Sequence, residues 1–246
     1  MLSLSIITIE KNYPDGLMRT LQSVASQNLP NGMSFIQLIC EGTPGSAHKL
    51  IQDLSLTNKS RVCSSTDTGL YNGMNQGLNS VTQGWVLFLN AGDTLIDRDA
   101  LYRINEVLQN TNAPVVQFKC NYNDGTKRPF KRYSRVSLFL GRNMHIHPAL
   151  CLNLDFIGHV RFDESFQIAA DYKMANELIK SFTFEFSEEV ISNFEGGGIS
   201  SKSVETLIKE MNLVRTLVSP RFLPSALLKT WNFYFSCRMR ERMGVK

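Results

Sequence analysis

The stretch Gly84–Asp93, GWVLFLNAGD, joins a wholly apolar run to a polar tip. A short apolar run of this kind, bounded by glycine and polar residues, predicts a strand that is buried on both faces. Because the run ends at Asn90, the amide of Asn90 and the carboxylate of Asp93 are delivered to the exposed end of this strand. The stretch therefore predicts a buried sheet with a polar site at the tip of one strand.

The same arrangement recurs earlier in the chain, where strand-like runs alternate with segments of helical periodicity. The strand-like runs are residues 2–9, 33–42 and 60–66, and the helical segments are residues 16–27, 46–55, 71–82 and 98–110. This alternation, with short connections, predicts a parallel sheet covered by helices on both faces. Ligands bind such sheets outside the carboxyl ends of the strands. We therefore expect the polar strand tips to share one edge: residues 10–12, 41–46, 66–69 and 90–93.

The second half of the chain is less regular. Residues 113–134 predict a β-hairpin that turns at 123–126, where Asp-Gly favours a tight turn. A helix opens near Asp171, with Tyr172, Ala175, Leu178 and Ile179 facing inward. A strand over residues 184–194 precedes a glycine cluster, and a last regular helix runs from Val204 to about Val218.

The composition is that of an ordinary globular chain: of 246 residues, 43% are hydrophobic and 20% are charged. The net charge of +4 suits an anionic small molecule or a membrane surface better than a nucleic acid, which requires many phosphate contacts. We therefore expect no nucleic-acid partner. The N-terminus lacks a basic n-region, and no apolar run approaches the ~20 residues that span a bilayer, so neither a secretory signal nor a transmembrane helix is predicted.

The five cysteines are odd in number and widely spaced, and no C-x-x-C pair occurs. This pattern gives little support to a zinc site or a disulfide framework. It predicts reduced, mostly buried thiols in a cytoplasmic protein. The cysteines are Cys40, Cys63, Cys120, Cys151 and Cys237.

Two segments carry candidate chemistry. Asp93 fits the sparse oxygen-ligand pattern of Mg²⁺ or Mn²⁺ in phosphate sites, but its position taken alone favours the N-cap of a helix that begins at Thr94. The segment Ser65–Gly77, STDTGLYNGMNQG, is rich in glycine and amide side chains. It predicts either a ligand-lining segment, which we favour, or a loosely packed helix, for which its glycines are poor.

At this point several motifs, in a linked order, resemble one family. They are SIITIEKN (5–12), TLQSVASQ (20–27), IQLICEGTPGS (36–46), residues 65–93 as a whole, HIHPAL (145–150), AADYKMANEL (169–178) and NFEGGGIS (193–200). Together they resemble family 2 glycosyltransferases with the GT-A fold, and in particular the bacterial surface-polysaccharide branch of colanic-acid and O-antigen enzymes. The likeness covers residues 3 to about 200.

The resemblance implies an α/β, Rossmann-like and mostly parallel sheet flanked by helices, with a C-terminal helical extension. It implies a glycosyltransferase domain over residues 1–203, with a nucleotide-sugar-binding half (1–100) and an acceptor-binding half (101–203). It also implies site residues. Those for the nucleotide-sugar are Thr8, Glu10, Asn12, Glu41, Asp67, Gly69, Tyr71, Asn75, Asn90, Ala91 and Gly92; His147, Gly197 and Gly198 serve the acceptor and diphosphate, Asp93 the divalent Mn²⁺ or Mg²⁺, and Asp171 catalysis.

Several positions depart from the family pattern. Glu41 stands in place of an Asp that touches the nucleobase, and TPGSA after it lacks a carboxylate that the family has. Asn72 and Gln76 replace an Asp and a Lys, and Gly92 removes the first acid of the metal-binding pair. These departures bear on the identity of the donor more than on the reaction class.

The family chemistry implies that Asp171 is the general base that takes a proton from the acceptor hydroxyl. One base and one metal favour a single displacement with inversion of the anomeric centre. The alternative for Asp171 is an N-cap of the following helix, for His147 a core histidine, and for Tyr71 simple packing of its helix on the sheet rather than stacking on a base or sugar.

The C-terminal region, residues 204–246, combines spaced apolar and aromatic residues with a basic end that contains Arg238, Arg240 and Arg242. It predicts either a helix at an anionic membrane surface or an ordinary packing helix. The expected activity is transfer of a sugar, with UDP the favoured nucleotide, to a growing lipid-diphosphate-linked surface glycan at the inner face of the plasma membrane. The alternative is a nucleotide-sugar-binding module without catalysis; a dehydrogenase is disfavoured because no G-x-G-x-x-G follows the first strand.

Overall fold

The computed structural model describes residues 1–64, 69–122, 147–196 and 203–218. The strands are β1 (Leu2–Glu10), β2 (Met33–Glu41), β3 (Ser60–Ser64), β4 (Trp85–Phe88), β5 (Thr94–Leu95), β6 (Val115–Tyr122), β7 (Leu150–Asn153) and β8 (Phe184–Phe194). The helices are α1 (Pro14–Ala25), α2 (Ser46–Asp53), α3 (Leu70–Asn79), α4 (Ala100–Asn110), α5 (Leu154–Ile157), α6 (Ala170–Ser181) and α7 (Val204–Val218).

The strands form one sheet in the order β3-β2-β1-β4-β7-β6-β8-β5. Strands β3, β2, β1 and β4 are parallel to one another, as the alternation of strands and helices predicts. The sheet then reverses, because β7 lies antiparallel to both β4 and β6, while β6 and β8 are parallel to each other. The expected α/β fold with a mostly parallel sheet is therefore confirmed, and the second half of the chain extends the same sheet.

Helices cover both faces of this sheet, because alternate side chains of its strands belong to different core clusters. Ile7 and Val86 contribute to a cluster with residues of α3, α6 and α7. Their neighbours Ile6 and Leu87 contribute to a second cluster with residues of α1 and α4. This alternation with a period of two residues is the reason why each parallel strand reads as continuously apolar in the sequence.

Most of the individual elements agree with the sequence. The inward residues expected for α6 include Tyr172, Ala175 and Leu178, which are buried, whereas Ile179 is only half-buried. The interpretation of Asp93 as a helix N-cap is wrong, because α4 begins at Ala100 and the chain after Asp93 forms the short strand β5 instead. The predicted hairpin turn at 123–126 lies outside the described residues.

The helix α7 packs against α3 and α6, which cover one face of the sheet, and it hydrogen-bonds to the backbone just before α6. Leu207, Met211 and Val214 are buried in the same core cluster as residues of α3 and α6. Oε1 of Glu210 accepts a hydrogen bond from the Gln167 N–H (2.7 Å), and its Oε2 accepts two more from the next two backbone N–H groups. Residues 204–218 are thus in direct contact with the expected glycosyltransferase domain; the rest of the C-terminal region, residues 219–246, lies outside the described residues.

The described part of the chain contains no helix that is long and apolar enough to cross a membrane. Of the four described cysteines, Cys40 and Cys151 are buried and Cys63 and Cys120 are half-buried, so the expected burial holds for two of them.

The glycines of α3 allow this helix to lie directly on β1. A Cβ atom on Gly77 would stand 2.4 Å from Cγ2 of Ile7, and one on Gly73 would stand 3.3 Å from Cγ2 of Ile9. Within the segment that reads as a poor helix, residues 70–77 are helical, because close packing on the sheet outweighs the low helix propensity of glycine.

The substitution Gly77→Ala should lower the free energy of unfolding by about 1–3 kcal/mol, because the added methyl group overlaps the Ile7 side chain and forces α3 away from β1. Gly73→Ala is the matched control: it makes the same change in the same helix at a less crowded position and should cost less. Urea unfolding of both variants measures the difference. Equal stability of Gly77→Ala and the unsubstituted protein would show that the contact with Ile7 does not limit the approach of α3.

Candidate active site

The segment Asn90–Asp93 lies at the carboxyl end of β4 and is held against β1. Leu89 N–H donates to the carbonyl of Ile7 (2.9 Å), and Ala91 N–H donates to the carbonyl of Ile9 (3.0 Å), so the chain continues the parallel pairing beyond the end of β4. Asp93 is thereby fixed at the edge where the sequence predicted the polar strand tips to meet.

Thr20, a fully buried residue of α1, ties this segment to the helix layer. Its Oγ1 accepts a hydrogen bond from Gly92 N–H (3.0 Å) and donates to the carbonyl of Asp93 (2.7 Å). The sequence analysis did not single out Thr20. The sequence feature that could have identified it is a hydroxyl residue on the apolar face of a predicted helix, where a polar group requires a hydrogen-bond partner.

Gly92 adopts a left-handed backbone conformation with φ of +103°, and a Cβ atom there would lie 1.8 Å from Oε2 of Glu195. The space of a side chain at position 92 is therefore filled by the carboxylate of Glu195. In the family pattern an acid stands at position 92. Here the carboxylate at this place belongs to Glu195, directly after β8, rather than to a residue of the segment after β4.

Glu195, which directly follows β8, is a second residue that the sequence analysis missed. Its backbone N–H donates to Oδ1 of Asp93 (3.0 Å). Its Oε1 accepts a hydrogen bond from the hydroxyl of Tyr13 (2.8 Å) and another from the guanidinium of Arg19. The position of Glu195 immediately before the glycine cluster was the available signal. Glu195 links the start of α1, the end of β4 and the end of β8.

The carboxyl group of Asp93 is almost entirely buried. Burial raises its pKa to about 7, and the negative charge of Glu195 acts in the same direction, while hydrogen bonds from backbone N–H groups oppose the shift. Near neutral pH this carboxyl group is therefore poised between its protonated and ionised forms. A cation beside it would favour the ionised form.

His147 and Asn90 complete the surroundings of Asp93. Nδ2 of Asn90 lies 2.9 Å from Nε2 of His147, and because an amide nitrogen only donates, the imidazole accepts this hydrogen bond. Burial lowers the pKa of His147 to about 4, so the ring is neutral at physiological pH. Nε2 of His147 lies 3.8 Å from Oδ2 of Asp93. The structure therefore places the predicted residues His147, Asn90 and Asp93 together.

The donor set around Asp93 suits a divalent cation with few protein ligands. Oδ1 of Asn90 is buried and has no hydrogen-bond partner among the described residues. Carboxylate and amide oxygens are the ligands that Mg²⁺ and Mn²⁺ prefer, usually with one or two protein carboxylates and the phosphates of the substrate. Within the described ranges no group of three or more acidic, His or Cys side chains is arranged to hold a metal by itself. The residues thus fit a cation that is shared with a phosphorylated ligand.

Glu10 and Glu41 lie side by side at the ends of β1 and β2, and both are buried. The carboxylate of Glu41 accepts hydrogen bonds from the N–H groups of Gly45 (2.9 Å) and Ala47 (2.7 Å), at the start of α2. The carboxylate of Glu10 accepts from Tyr13 N–H (2.7 Å). Both predicted nucleotide-contacting acids therefore hold their own loops in this structure.

Two further predicted residues of this edge are also hydrogen-bonded within the protein. Oγ1 of Thr8, which is fully buried, accepts from the amide of Gln37 (2.8 Å). Oδ1 of Asn12 accepts from the hydroxyl of Thr43 (2.7 Å), and the Asn12 backbone has a positive φ of 53°. Asn12 is exposed at the edge of the sheet, whereas Thr8 is buried inside the protein.

The start of α3 brings the other predicted residues towards α6. Gly69, with φ of +102°, directly precedes the helix. The hydroxyl of Tyr71 donates to the carbonyl of Ile168 and lies 3.4 Å from Oδ1 of Asp171. Asn75 is buried, and its amide pairs with the backbone N–H and carbonyl of Phe162 (both 2.9 Å), so it anchors the segment before α6.

Asp171 lies in the first turn of α6, near the start of the helix. The expected alternative as an N-cap is wrong, because the N-cap residue of α6 is Ala169, whose own N–H donates to the carboxylate of Glu210. Oδ1 of Asp171 accepts a hydrogen bond from Tyr172 N–H (2.7 Å). Burial raises the pKa of Asp171 to about 6, against the opposing effect of its hydrogen bonds.

Because α3 begins where the chain returns from the carboxyl end of β3, the contact between Tyr71 and Asp171 places Asp171 at the same edge of the sheet as Asp93. Three predicted site residues, Asp67, Gly197 and Gly198, lie outside the described residues.

The mixed sheet with helices on both faces and an acidic site at its carboxyl edge defines the chain as an α/β protein of the GT-A class. The model of glycosyl transferase family 2 matches residues 5–165, which is more than half of the chain. The chain belongs to this family and is a glycosyltransferase. The resemblance stated from the sequence is thereby confirmed at the level of the family.

Several solved structures share this fold. S. aureus TarS 1-349 is 14% identical, with a TM-score of 0.70 over 96% of this chain and 72% of that chain. The same TarS fragment in complex with UDP-GlcNAc is 13% identical, with a TM-score of 0.70 over 94% of this chain and 73% of that chain. The mannosyltransferase PcManGT from Pyrobaculum calidifontis, in complex with GDP-Man and Mn2+, is 13% identical, with a TM-score of 0.65 over 93% of this chain and 69% of that chain. No curated protein sequence matches this chain.

The substitution Thr20→Val should lower the free energy of unfolding by about 1–3 kcal/mol, because it leaves the buried Gly92 N–H and Asp93 carbonyl without partners. Thr20→Ser is the matched control, since it retains the hydroxyl group. Guanidinium unfolding of the two variants measures the contribution of the hydroxyl. A Thr20→Val variant as stable as the unsubstituted protein would show that the hydroxyl does not hold the segment.

Proposed function

We propose that this glycosyltransferase transfers a sugar from a nucleoside-diphosphate donor to a hydroxyl group of a growing surface glycan, with inversion at the anomeric carbon. The observation that carries the proposal is the buried carboxylate of Asp93, held at the carboxyl edge of the sheet beside His147 and Asn90. In the fold of this family, a phosphate-shared cation is the group that such an acidic position suits.

The donor class rests on the family and on the ligands named for structures of the same fold. TarS 1-349 has been solved with UDP and with UDP-GlcNAc, and PcManGT with GDP-Man and Mn2+. Because these neighbours bind different bases, UDP is proposed for this chain from the motif resemblance alone. Glu10 and Glu41 are occupied by their own loops, which favours base recognition by exposed groups of the same edge, such as Asn12.

Asp93 is the proposed ligand for the cation. Oδ1 of Asn90, which is buried and has no hydrogen-bond partner among the described residues, is proposed as a further oxygen ligand. A bound Mg²⁺ or Mn²⁺ supplies positive charge that stabilises the departing diphosphate without a proton transfer. The protein's own contribution is to bury Asp93 so that little water competes for it, and to keep His147 neutral so that it does not repel the cation.

Asp171 is the proposed general base. Its pKa of about 6 leaves it mostly ionised at neutral pH, yet it is basic enough to take a proton from an acceptor hydroxyl group. The N–H of Tyr172 orients its carboxylate through Oδ1, and the hydroxyl oxygen of Tyr71, which donates its hydrogen bond to the carbonyl of Ile168, lies 3.4 Å from the same oxygen. With one base and no described nucleophile beside it, a single displacement converts an α-linked donor into a β-linked product.

The acceptor is proposed to be a lipid-diphosphate-linked sugar of the surface-polysaccharide pathways, as in the colanic-acid and O-antigen branch. His147, Gly197 and Gly198 are proposed to lie on the acceptor and diphosphate side. The C-terminal region is proposed to bring the enzyme to an anionic membrane surface at the cytoplasmic face. These elements rest on the motif resemblance and on the basic C-terminal sequence.

Thermal unfolding in the presence of UDP- and GDP-sugars, with and without Mn²⁺, tests the donor site. A ligand at about 100 times its Kd stabilises the folded state by about 2.7 kcal/mol, and we expect the largest shift with a UDP-sugar and Mn²⁺ together. Asp93→Asn should abolish the Mn²⁺-dependent part of this shift without lowering the stability of the free protein, because it removes a carboxyl group whose ionisation is opposed by burial.

Asp53→Asn, a change at an exposed residue of α2, is the control for this experiment and should leave the shift unchanged. A Mn²⁺-dependent shift that persists in Asp93→Asn would remove Asp93 as the cation ligand. Donor binding with Mn²⁺ but without transfer to any hydroxyl acceptor or to water would favour the alternative, a nucleotide-sugar-binding module without catalysis.

Asp171→Asn should lower kcat by at least about 100-fold while the UDP-induced thermal shift is retained, because the amide cannot accept the proton. In the unsubstituted enzyme kcat/KM should rise with pH through about pH 6 as Asp171 ionises. Glu177→Gln, an exposed change on the same helix, is the control. An active Asp171→Asn enzyme with an unchanged pH profile would exclude Asp171 as the base.

The same variant gives a stability measurement with a defined sign. The pKa of Asp171 is raised in the folded state from 3.8 to about 6, so the unfolded chain releases this proton at lower pH than the folded protein does. The group therefore reduces stability progressively as the pH rises from about 4 to about 6, and the deficit remains above that window. Across this range Asp171→Asn should become more stable relative to the unsubstituted protein.

A further inference from the structure

Two thiols on neighbouring strands are in contact. Sγ of Cys40, near the end of β2, lies 2.9 Å from Sγ of Cys63, in β3. The contact arises from an irregularity in the pairing of the strands: Ile39 pairs with Val62, but Cys40 pairs with Ser64. Cys63 is therefore an extra residue in β3, and its side chain turns towards Cys40. Neither thiol has a role in the proposed transfer reaction.

The spacing of adjacent strands and the contact of the two sulfur atoms are compatible with a disulfide bond. Adjacent strands are about 4.8 Å apart, which lies inside the range of about 4.4–6.8 Å between the Cα atoms of bonded cysteines. A disulfide has an S–S distance of about 2.05 Å, so the two sulfur atoms need to approach by less than about 1 Å. A shift of this size is small for a strand edge that already carries a bulge.

The two thiols differ in access and in acidity. Cys63 is half-buried, whereas Cys40 is buried beneath α3, where a Cβ on Gly73 would lie 3.9 Å from the Cβ of Cys40. The hydrogen bond from the Cys40 thiol lowers the pKa of Cys63, and the same contact together with burial raises the pKa of Cys40. Cys63 is thus the thiol that meets a dissolved oxidant first, and Cys40 is in place to react second.

We propose that Cys40 and Cys63 form an oxidisable dithiol that closes to an intramolecular disulfide and reopens with a thiol reductant. With a peroxide as the oxidant, the Cys63 thiolate attacks one oxygen, the O–O bond breaks, and the other oxygen leaves as hydroxide and is protonated to water. Cys63 is then a sulfenic acid. The Cys40 sulfur attacks the Cys63 sulfur, the S–O bond breaks, and a second water leaves, so that two thiols and one hydrogen peroxide give one disulfide and two waters.

The position of the pair connects this chemistry to the proposed donor site without depending on it. Cys40 directly precedes Glu41, whose carboxylate holds the start of α2, and β3 leads into residues 65–68. The disulfide joins the carboxyl ends of β2 and β3. Formation of the disulfide depends only on the two thiols and the oxidant. It does not depend on which sugar or nucleotide the enzyme binds.

The test is a titration of the full chain with hydrogen peroxide, followed by alkylation of the remaining thiols and peptide mapping by mass spectrometry under non-reducing conditions. The count of free thiols should fall by two from the five in the sequence. A disulfide-linked peptide pair should contain Cys40 and Cys63, and dithiothreitol should restore both thiols. This measurement on the unsubstituted protein does not depend on any variant being able to fold.

Two variants sharpen the result. Cys40→Ser should leave a sulfenic acid at Cys63 that dimedone traps, because the resolving thiol is gone. Cys151→Ser, a change at a buried cysteine of β7, is the control and should still lose two thiols. The proposal is overturned if peroxide that fully oxidises free glutathione leaves all five thiols alkylatable, or if the mapped disulfides join other cysteines or two chains.

Discussion

The geometry of the site depends on the hydrogen bonds that the Thr20 hydroxyl group makes. Beyond Ala91, which still pairs with β1, the segment up to Asp93 leaves the sheet, and its buried backbone groups must find other partners. Thr20 accepts from Gly92 N–H and donates to the Asp93 carbonyl, so one side chain of α1 serves both. Because α1 follows β1 directly, the same pairing fixes how the first helix lies on the sheet and how far Asp93 extends beyond it.

The charges around Asp93 are unevenly balanced. Its carboxyl group is buried and meets the negative charge of Glu195, while the guanidinium of Arg19 pairs with Glu195 and is itself largely exposed. The neighbouring imidazole of His147 is neutral. Ionised Asp93 therefore lacks a full positive partner within the described part of the protein, which is the physical reason why we propose that a cation and an anionic ligand complete this site.

The buried acids at the ends of β1 and β2 follow a different rule from Asp93. The carboxylates of Glu10 and Glu41 accept hydrogen bonds from backbone N–H groups that open the following loop or helix. Each such bond satisfies a donor that has no partner in the helix and stabilises the negative charge. Among the described strand tips, the acidic residues thus divide into Glu10 and Glu41, which build the loops, and Asp93, which we propose as the ligand-binding acid.

In the first half of the chain, the sequence by itself indicated most of the elements, their order and the edge at which the polar residues collect, whereas β5 and β7 were not predicted. The predicted properties follow from local periodicity: the apolar runs at residues 2–9 and 84–89 indicate buried strands, and the helices between them favour a parallel arrangement. The motifs from Thr8 to Asp171 likewise indicated the family, because they combine residue types whose order along the chain is readable without a structure. Asp93 was identified in this way, although its position alone left an N-cap possible.

The tertiary structure alone decided which of these residues meet, because contacts between distant segments depend on register and helix placement rather than on local pattern. It placed Glu195, 102 positions beyond Asp93, in the space left by Gly92, and it gave Glu41 and Asn75 partners inside the protein. It also brought Cys40 to Cys63 through a bulge that no spacing rule indicates. Contacts between residues that are close in the sequence can be predicted from local pattern, whereas contacts across the sheet are determined only by tertiary packing.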